Sequence, residues 1–210
     1  MSSWSAYYQR HAARPPSRLL QQALSYADAP AGRRVALDLG CGNGHEALLL
    51  QQRGWQVHAY DRESEAIERL RSLQPPPLPL APSPHSAHGE GHGSLTAHHQ
   101  AFEAMQSLPS ASLIHAGLSL PFCAPEAFAR FWSVVMAAGQ PGGVFAGHFF
   151  GPRDAWAEDP AMSFHSLGHI QALLHGSELL HLDEFEGMAP SVGGPKYWHR
   201  IEVIARRAGR

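Results

Sequence analysis

The sequence predicts an α/β fold with a seven-stranded, mostly parallel sheet that ends in an antiparallel hairpin. Three observations carry this prediction. An apolar run at 35–39 passes through closely spaced glycines into a helical segment, as a buried parallel strand does. Strand-like and helix-like segments then alternate as far as residue 150. The last two predicted strands follow each other with no helix between them, which favours antiparallel pairing.

The first predicted strand, Val35–Leu39, leads directly into a glycine-rich turn. Its single polar residue is Asp38, and three glycines follow in the run Gly40-Cys41-Gly42-Asn43-Gly44. A helical segment at 45–53 comes next and is closed by Gly54. Glycines in such a turn let the backbone approach a ligand closely, and the helix N-terminus offers free N–H groups. The pattern therefore predicts a ligand-binding strand–turn–helix unit.

The second predicted strand, 55–60, ends on an acid that indicates the kind of ligand. Asp61 stands where a carboxylate can accept both hydroxyls of a ribose. The third glycine of the turn comes one residue earlier than in the dinucleotide-binding pattern. In addition, Asp38 would repel a pyrophosphate. The unit is therefore expected to bind a nucleoside that carries cationic groups, an ammonium and a sulfonium.

The remaining elements are predicted from periodicity, prolines and glycines. The further helices are expected at 18–24, 63–73, 126–138 and 166–175, and the further strands at 95–100, 111–116, 144–150, 178–186 and 197–206. Pro75 to Gly93 is rich in proline, glycine, serine and histidine, so we expect a flexible loop there rather than a domain boundary. Residues 1–210 are accordingly expected to form a single domain.

Composition excludes several classes of protein. Hydrophobic residues make up 44% and charged residues 16% of the 210 residues, which is typical of a soluble globular chain. The net charge is −2 and no basic patch is evident, so no nucleic-acid partner is expected. Two cysteines cannot form a disulfide framework. Neither a signal peptide nor a membrane-spanning run is evident, so we expect no membrane partner and a cytoplasmic location.

The motifs resemble those of class I S-adenosylmethionine (SAM)-dependent methyltransferases, and the resemblance covers nearly the whole chain. It rests on the loop sequence LDLGCGNG at 37–44, on Arg53-Gly54-Trp55 with Asp61 in the second strand, on the turn Pro141-Gly142-Gly143, and on the final hairpin. The chain is most similar in pattern to the small bacterial methyltransferases of the tellurite-resistance type. The resemblance implies a Rossmann-like fold and SAM as cofactor, with S-adenosylhomocysteine (SAH) as its product.

The resemblance also assigns cofactor contacts. Asp38 is expected to contact the methionine amino group and Asp61 the ribose. Arg14 could pair with the methionine carboxylate, and a solvated surface position is the favoured alternative for it. The full set of expected cofactor-binding residues is Arg14, Asp38, Gly40, Gly42, Asp61, Arg62, Phe102, Glu103 and His115. Many members of the family carry Asp at the position of Ala101, and this chain departs from them there. Plain core packing is an equal alternative for Phe102.

Residues for the acceptor come from segments that the fold brings to the carboxyl edge of the sheet. His115 and His148 are the candidate catalytic residues, since a histidine can accept a proton near neutral pH. The candidate substrate contacts are Tyr7, Tyr8, Arg153, Trp156 and His165. His165 and His169 have a spacing that can hold a metal, but a solvated helix face is the favoured interpretation, and no metal site is predicted.

The predicted function is methyl transfer from SAM to a small-molecule oxygen, nitrogen, sulfur or chalcogen nucleophile by in-line displacement. The protein would chiefly align and desolvate the reactants. Three alternatives stay open: a methyltransferase for peptides or other macromolecules, a non-catalytic SAM-binding regulatory protein, and a nicotinamide-dependent reductase. The identity of the acceptor and the oligomeric state are not encoded in any recognisable pattern.

Overall fold

Seven strands form one sheet in the computed structural model, which describes residues 3–12, 14–27, 34–73, 93–191 and 193–209. The helices are α1 Ser3–Arg10, α2 Arg18–Tyr26, α3 His45–Gln52, α4 Ser64–Leu73, α5 Pro125–Ala138 and α6 Leu167–Leu173. The strands are β1 Val35–Leu39, β2 Gln56–Asp61, β3 Leu95–His99, β4 Ala111–Ala116, β5 Gly139–Phe150, β6 Ser177–Ser191 and β7 Gly194–Arg207. Short 3₁₀ turns lie at Phe102–Ala104 and Leu120–Phe122.

The strand order confirms the predicted fold. The order is β3-β2-β1-β4-β5-β7-β6, with β1 to β5 parallel and β7 antiparallel to both of its neighbours. Phe150, the last residue of β5, pairs with Arg200 in the middle of β7. The hairpin of β6 and β7 therefore extends beyond the carboxyl end of β5. It stands beside the edge at which ligands bind in open α/β sheets.

Each face of the sheet packs against its own set of helices, because successive strand side chains alternate between the faces. Leu37 and Leu39 of β1 pack into the cluster that contains Phe131 of α5 and Ile170 of α6. Ala36 packs on the opposite face, with residues of α2, α3 and α4. Asp38 shares that second face with Ala36. Functional groups on β1 and β4 can therefore meet the N-terminal segment, which reaches the sheet through α2.

Several boundaries differ from the sequence-based prediction. Helix α1 was not predicted; it contacts segments that are distant in sequence, Asn43 through Tyr8 and Phe122 through Trp4. The Pro141-Gly142-Gly143 run forms a bulge inside β5 rather than a turn before it, because the single residue of β4 between Ala111 and Leu113 stands opposite the four residues 140–143 of β5. The predicted loop from Pro75 lies outside the described residues except for Gly93, whose N–H donates to the carbonyl of Gln51.

Candidate functional site

The glycine loop after β1 has the backbone geometry that a close ligand requires. Gly40 has φ +77° and Gly42 φ +48°, a region that L side chains rarely adopt. A Cβ on Gly40 would also collide with the Cβ of Ser119, which lies after β4. The N–H groups of Gly40 and Cys41 both donate to the carbonyl of Tyr60, at 2.8 and 2.9 Å. These bonds tie the loop to the end of β2 and fix its shape.

Asp38 and His115 form a buried acid–histidine pair beside this loop. They are register partners on β1 and β4, and Nδ1 of His115 lies 2.9 Å from Oδ1 of Asp38. Oδ2 of Asp38 is buried without a hydrogen-bond partner. Burial raises the pKa of Asp38, and the hydrogen bond and charge of His115 only partly oppose that rise. An ammonium group is a fitting partner for the unsatisfied oxygen.

A second buried acid, Glu46, was missed by sequence reasoning. It lies in the first turn of α3 and accepts two hydrogen bonds from Arg14, at 2.7 and 2.9 Å, and one from the N–H of Ser17, at 2.9 Å. Burial raises the pKa of Glu46, but the bonds from Arg14 and Ser17 and the nearby charges outweigh it and hold this pKa below its ordinary value. Arg14 thus binds Glu46, whereas it was expected at the methionine carboxylate. The only sequence signal was a lone acid after the glycines.

Asp61 lies at the end of β2, as predicted, and already holds two backbone groups. Its Oδ2 accepts from the N–H of Gly42 at 2.8 Å, and its Oδ1 accepts from the N–H of Glu63 at 2.9 Å. Burial raises the pKa of Asp61, and the two backbone hydrogen bonds oppose that rise. A carboxylate has about four acceptor positions, so two remain for ribose hydroxyls.

Helix α1 covers the glycine loop. Tyr8 is buried, and a Cβ on Gly42 would lie 3.5 Å from its ring. Asn43 donates its side-chain amide to the carbonyl of Tyr8 at 2.8 Å. Burial and then the charge of Asp61 raise the pKa of Tyr8, so its hydroxyl stays protonated. Tyr7 lies in the same helix, but its side chain is outside the described residues.

The three residues expected around the adenine have other contacts. Phe102 stacks on Phe131 of α5, with ring centroids 4.4 Å apart, which is the core-packing alternative. Glu103 accepts a hydrogen bond from the N–H of Ala124, the residue before α5, at 3.0 Å. Arg62 is exposed. Their assignment to the cofactor stays a prediction.

His148 holds the segment that follows β4. Its Nδ1 accepts from the N–H of Leu118 at 3.3 Å, so Nε2 carries the hydrogen and donates to Glu202 at 3.3 Å. Burial lowers the pKa of His148, and Glu202 only partly opposes this. The imidazole has no lone pair left for a substrate. His148 thus accepts from the backbone of Leu118, which has the unusual φ of +55°. Its catalytic role stays a prediction.

The other candidate acceptor contacts fall into different surroundings. Trp156 lies against Phe122 and Phe150, with ring centroids 6.4 and 6.2 Å away, near the carboxyl edge of the sheet. Arg153 is exposed and forms ion pairs with Glu186 and Glu184 on β6. The sequence predicted that Arg153 and Trp156 line the same acceptor site. In the structure Arg153 pairs with glutamates of β6, whereas Trp156 packs among aromatic rings.

His165 lies on the sheet face opposite His115 and His148. Its ring packs on Phe128 of α5 and Phe149 of β5, at 4.2 and 5.8 Å between centroids. Its Nδ1 lies 3.1 Å from Nδ1 of His169, and its Nε2 is buried without a partner. The structure thus does not bring His165 to the Asp38–His115 pair.

One group of potential metal ligands occurs within the described ranges, on the hairpin. It consists of Glu184, Glu186 and His199, whose ligand atoms all lie within 4.8 Å of one another. The guanidinium of Arg153 pairs with both glutamates. Nε2 of His199 lies 2.7 Å from Glu184. Arg153 and His199 thus already contact carboxylate oxygens of this group. In the same ranges, no helix is both long enough and apolar enough to cross a bilayer.

Comparison with known proteins identifies the family. A sequence model of the methyltransferase-domain family matches residues 8–181. Over 136 residues the chain is 32% identical to the S-adenosyl-L-methionine-dependent Diels-Alderase iccD of Talaromyces variabilis. That match covers 61% of this chain and 40% of the relative, so the chain spans less than half of that protein.

Solved structures agree on the fold. TehB from Haemophilus influenzae superposes with a TM-score of 0.70 at 14% identity, covering 97% of this chain and 67% of that one. The N-methyltransferase NodS from Bradyrhizobium japonicum in complex with SAH gives a TM-score of 0.62 at 14% identity, with 99% of each chain covered. The glycine loop and the unsatisfied oxygen of Asp38 fit the same cofactor. The chain belongs to the methyltransferase-domain family.

Proposed function

We propose that this chain transfers a methyl group from SAM to a small-molecule nucleophile by in-line displacement. The observation that carries the proposal is the Asp38–His115 pair beside the glycine loop, with one carboxylate oxygen buried and unsatisfied. When bound, the cofactor supplies a methyl group that its sulfonium has already made electrophilic. The protein's own contribution is to bind, orient and exclude water.

The cofactor-binding roles follow from the contacts. Oδ2 of Asp38 is the acceptor proposed for the methionine ammonium, and His115 holds the carboxylate in the orientation that presents this oxygen. The remaining acceptor positions of Asp61 are proposed for the ribose hydroxyls. Gly40 and Gly42 let the backbone lie against the ligand. Tyr8 covers the loop and shields the bound cofactor from water.

The acceptor is proposed to bind between α1 and the segment after β4. Trp4 of α1 packs edge to face on Phe122, with ring centroids 4.8 Å apart. Phe122 in turn lies beside Trp156, with ring centroids 6.4 Å apart. Aromatic rings at this edge exclude water and favour a small, partly apolar acceptor. His115 remains the proposed base for a nucleophile that carries a proton. With Nδ1 donating to Asp38, its Nε2 keeps the lone pair and faces Oγ of Ser17 at 3.5 Å.

The test measures SAH formed from SAM in the presence of four probe nucleophiles: 4-methylumbelliferone, tyramine, thiophenol and selenite. We expect at least one to give SAH well above the rate without acceptor. Asp38→Asn should abolish this and weaken SAM binding measured by calorimetry. Ser112→Ala is the matched control, because Ser112 lies on β4 and its hydroxyl donates to the carbonyl of Val35, away from the loop.

A peptide or macromolecular methyltransferase would give SAH only when a peptide library replaces the small probes. Calorimetric binding of NAD rather than SAM would point to a reductase. SAM binding without SAH from either acceptor set would contradict the proposal. That outcome would favour a non-catalytic SAM-binding protein.

A second candidate rests on the similarity to iccD, which is a SAM-dependent Diels-Alderase. A cycloaddition breaks no bond to the methyl group, so the cofactor would stay intact while substrate is consumed. In such a protein, SAM binds and no SAH forms. Conversion of an intramolecular diene–dienophile substrate in the presence of SAM would then distinguish this function from methyl transfer.

A further inference from the structure

Lys196, near the start of β7, has its charged end enclosed by aromatic rings. The residue is 8% exposed. Its ammonium nitrogen lies 3.5 Å from the ring centroid of Trp156, 3.9 Å from that of Trp198 and 4.9 Å from that of Phe150. These distances are well inside the range of cation–π attraction. A lysine in this setting cannot be treated as an ordinary surface charge.

The position of the ammonium is fixed by Asp154. The Lys196 ammonium forms an ion pair with Oδ1 of Asp154, a residue that is buried in turn. The carboxylate also accepts hydrogen bonds from the N–H of Trp156 at 3.0 Å and of His199 at 3.1 Å. Backbone groups of two segments thus hold the acid, and the acid holds the lysine. Burial lowers the pKa of Lys196, while the Asp154 hydrogen bond and charge oppose this.

The enclosure is continuous with the proposed acceptor site. Phe122 lies 6.4 Å from both Phe150 and Trp156, and Trp4 of α1 lies 4.8 Å from Phe122. We call the five rings of Trp4, Phe122, Phe150, Trp156 and Trp198 the aromatic wall. The wall runs from the helix that covers the cofactor loop to the hairpin beyond β5. Lys196 stands at its hairpin end.

We propose that Lys196 is a positioning residue for the methyl acceptor and that the acceptor is a planar molecule without a cationic group. This inference rests on the proposed function. The ammonium draws the faces of Trp156 and Trp198 inward, and this orientation sets the surface that Trp156 and Phe122 present to an acceptor ring. A neutral side chain of the same length fills the volume but removes both the ion pair and the cation–π attraction.

The charge of Lys196 is the reason for proposing an acceptor without a cationic group. The Lys196 ammonium lies over the rings of Trp156 and Trp198, so it is the charged group that faces the wall. The Lys196 ammonium already occupies the cation-attracting faces of Trp156 and Trp198, so an acceptor with its own ammonium would find a like charge there instead of a free ring face. A neutral or anionic ring, such as a phenol or phenolate, meets no such repulsion.

The test measures binding rather than turnover, so it does not depend on methyl transfer. The probe is 4-methylumbelliferone, a planar fluorescent phenol, titrated into protein saturated with SAH. Lys196→Met should weaken its binding about tenfold. The affinity for SAH, measured by calorimetry, should stay within about twofold. Lys196→Arg should restore most of the probe affinity, because a guanidinium keeps both interactions.

The matched control is Arg206→Met. Arg206 is another cation on β7, at the far end of the strand, where it pairs with Glu178 at 3.2 Å. This variant should bind the probe and SAH as the wild type does. Wild-type protein should also bind 4-methylumbelliferone at least about tenfold more tightly than the naphthylethylammonium ion, and Lys196→Met should narrow that ratio.

A rescue experiment separates positioning from simple structural support. Lys196→Ala leaves the Asp154 carboxylate and the ring faces without their cation. Propylammonium chloride should then restore 4-methylumbelliferone binding to this variant, whereas an equal concentration of sodium chloride should not. Recovery of the melting temperature without recovery of probe binding would overturn the positioning role. So would wild-type affinity in Lys196→Met, an equal loss of SAH affinity, or no binding of the probe to the wild type.

The two proposals can fail separately. If no probe yields SAH but 4-methylumbelliferone binding depends on Lys196, the methyl-transfer proposal fails and the binding role of Lys196 stands. If SAH forms from a probe and Lys196→Met changes neither its KM nor its binding, the positioning role fails alone.

Discussion

Replacing His165 by phenylalanine should remove part of the acid sensitivity of the fold. Burial, and then the charge of His169, lower the pKa of His165 to about 4, against an ordinary value of 6.5. The folded protein therefore keeps this imidazole neutral in a pH range where the unfolded chain protonates it. Its contribution to stability is fully present above pH 6.5 and is lost progressively as the pH falls toward 4.

The size of the effect follows from the difference in pKa. A shift of about 2.5 units corresponds to about 3 kcal/mol when the pH has fallen to 4. At pH 5 the loss relative to pH 7 is about 2 kcal/mol. For a chain of this size that loss lowers the melting temperature by about 4–8 °C. Phenylalanine fits the surroundings, because Phe128 and Phe149 already enclose the ring and Nε2 has no partner; the contact it loses is the one between Nδ1 and His169.

The assay is urea unfolding followed by circular dichroism at pH 7 and pH 5. His165→Phe should lose about 2 kcal/mol less than the wild type on acidification. His175→Gln is the control, since His175 is exposed at the end of α6, and this variant should follow the wild type. The contributions of the other histidines to the pH dependence are the same in the variant and in the wild type, so they cancel when the two losses of unfolding free energy are compared. Equal losses for His165→Phe and the wild type would refute the argument that burial keeps this imidazole neutral.

Three further predictions concern the cofactor site and its surroundings. Asp61→Ala should weaken SAM binding by about 1–3 kcal/mol in calorimetry, because it removes the acceptor of the Gly42 N–H and the acceptor proposed for the ribose hydroxyls; unchanged affinity would exclude the proposed role. Glu46→Gln should lower the free energy of unfolding by about 2 kcal/mol. This is less than for a fully buried ion pair, because the Arg14 side chain is 33% exposed. A change under about 0.5 kcal/mol would show that the pair contributes little. Replacing residues 75–92 with a short Gly-Ser linker should leave the melting temperature nearly unchanged, and a large fall would show that the segment packs on the core.

The sequence by itself determined the central unit of the protein. A strand, a left-handed glycine turn and a helix are encoded locally, because apolar periodicity selects the element and positive φ selects glycine. Asp38 and Asp61 were predicted to be cofactor contacts from local features as well, because Asp38 stands just before the glycine turn and Asp61 ends the next strand. The antiparallel hairpin was predicted because no helical segment separates its two strands in the sequence. The family assignment drew on these local features.

Tertiary structure decided the partners of the polar groups. Arg14 binds Glu46 across 32 positions of sequence, and Lys196 binds Asp154 across 42. Such pairs leave no periodic trace, so sequence reasoning missed Glu46 and Lys196. The tertiary structure also decided on which face of the sheet each histidine lies: His165 packs on Phe128 and Phe149, on the face opposite His115. Local patterns encode which element forms, whereas only the folded sheet decides which distant side chains meet, because those contacts arise from strand order and register.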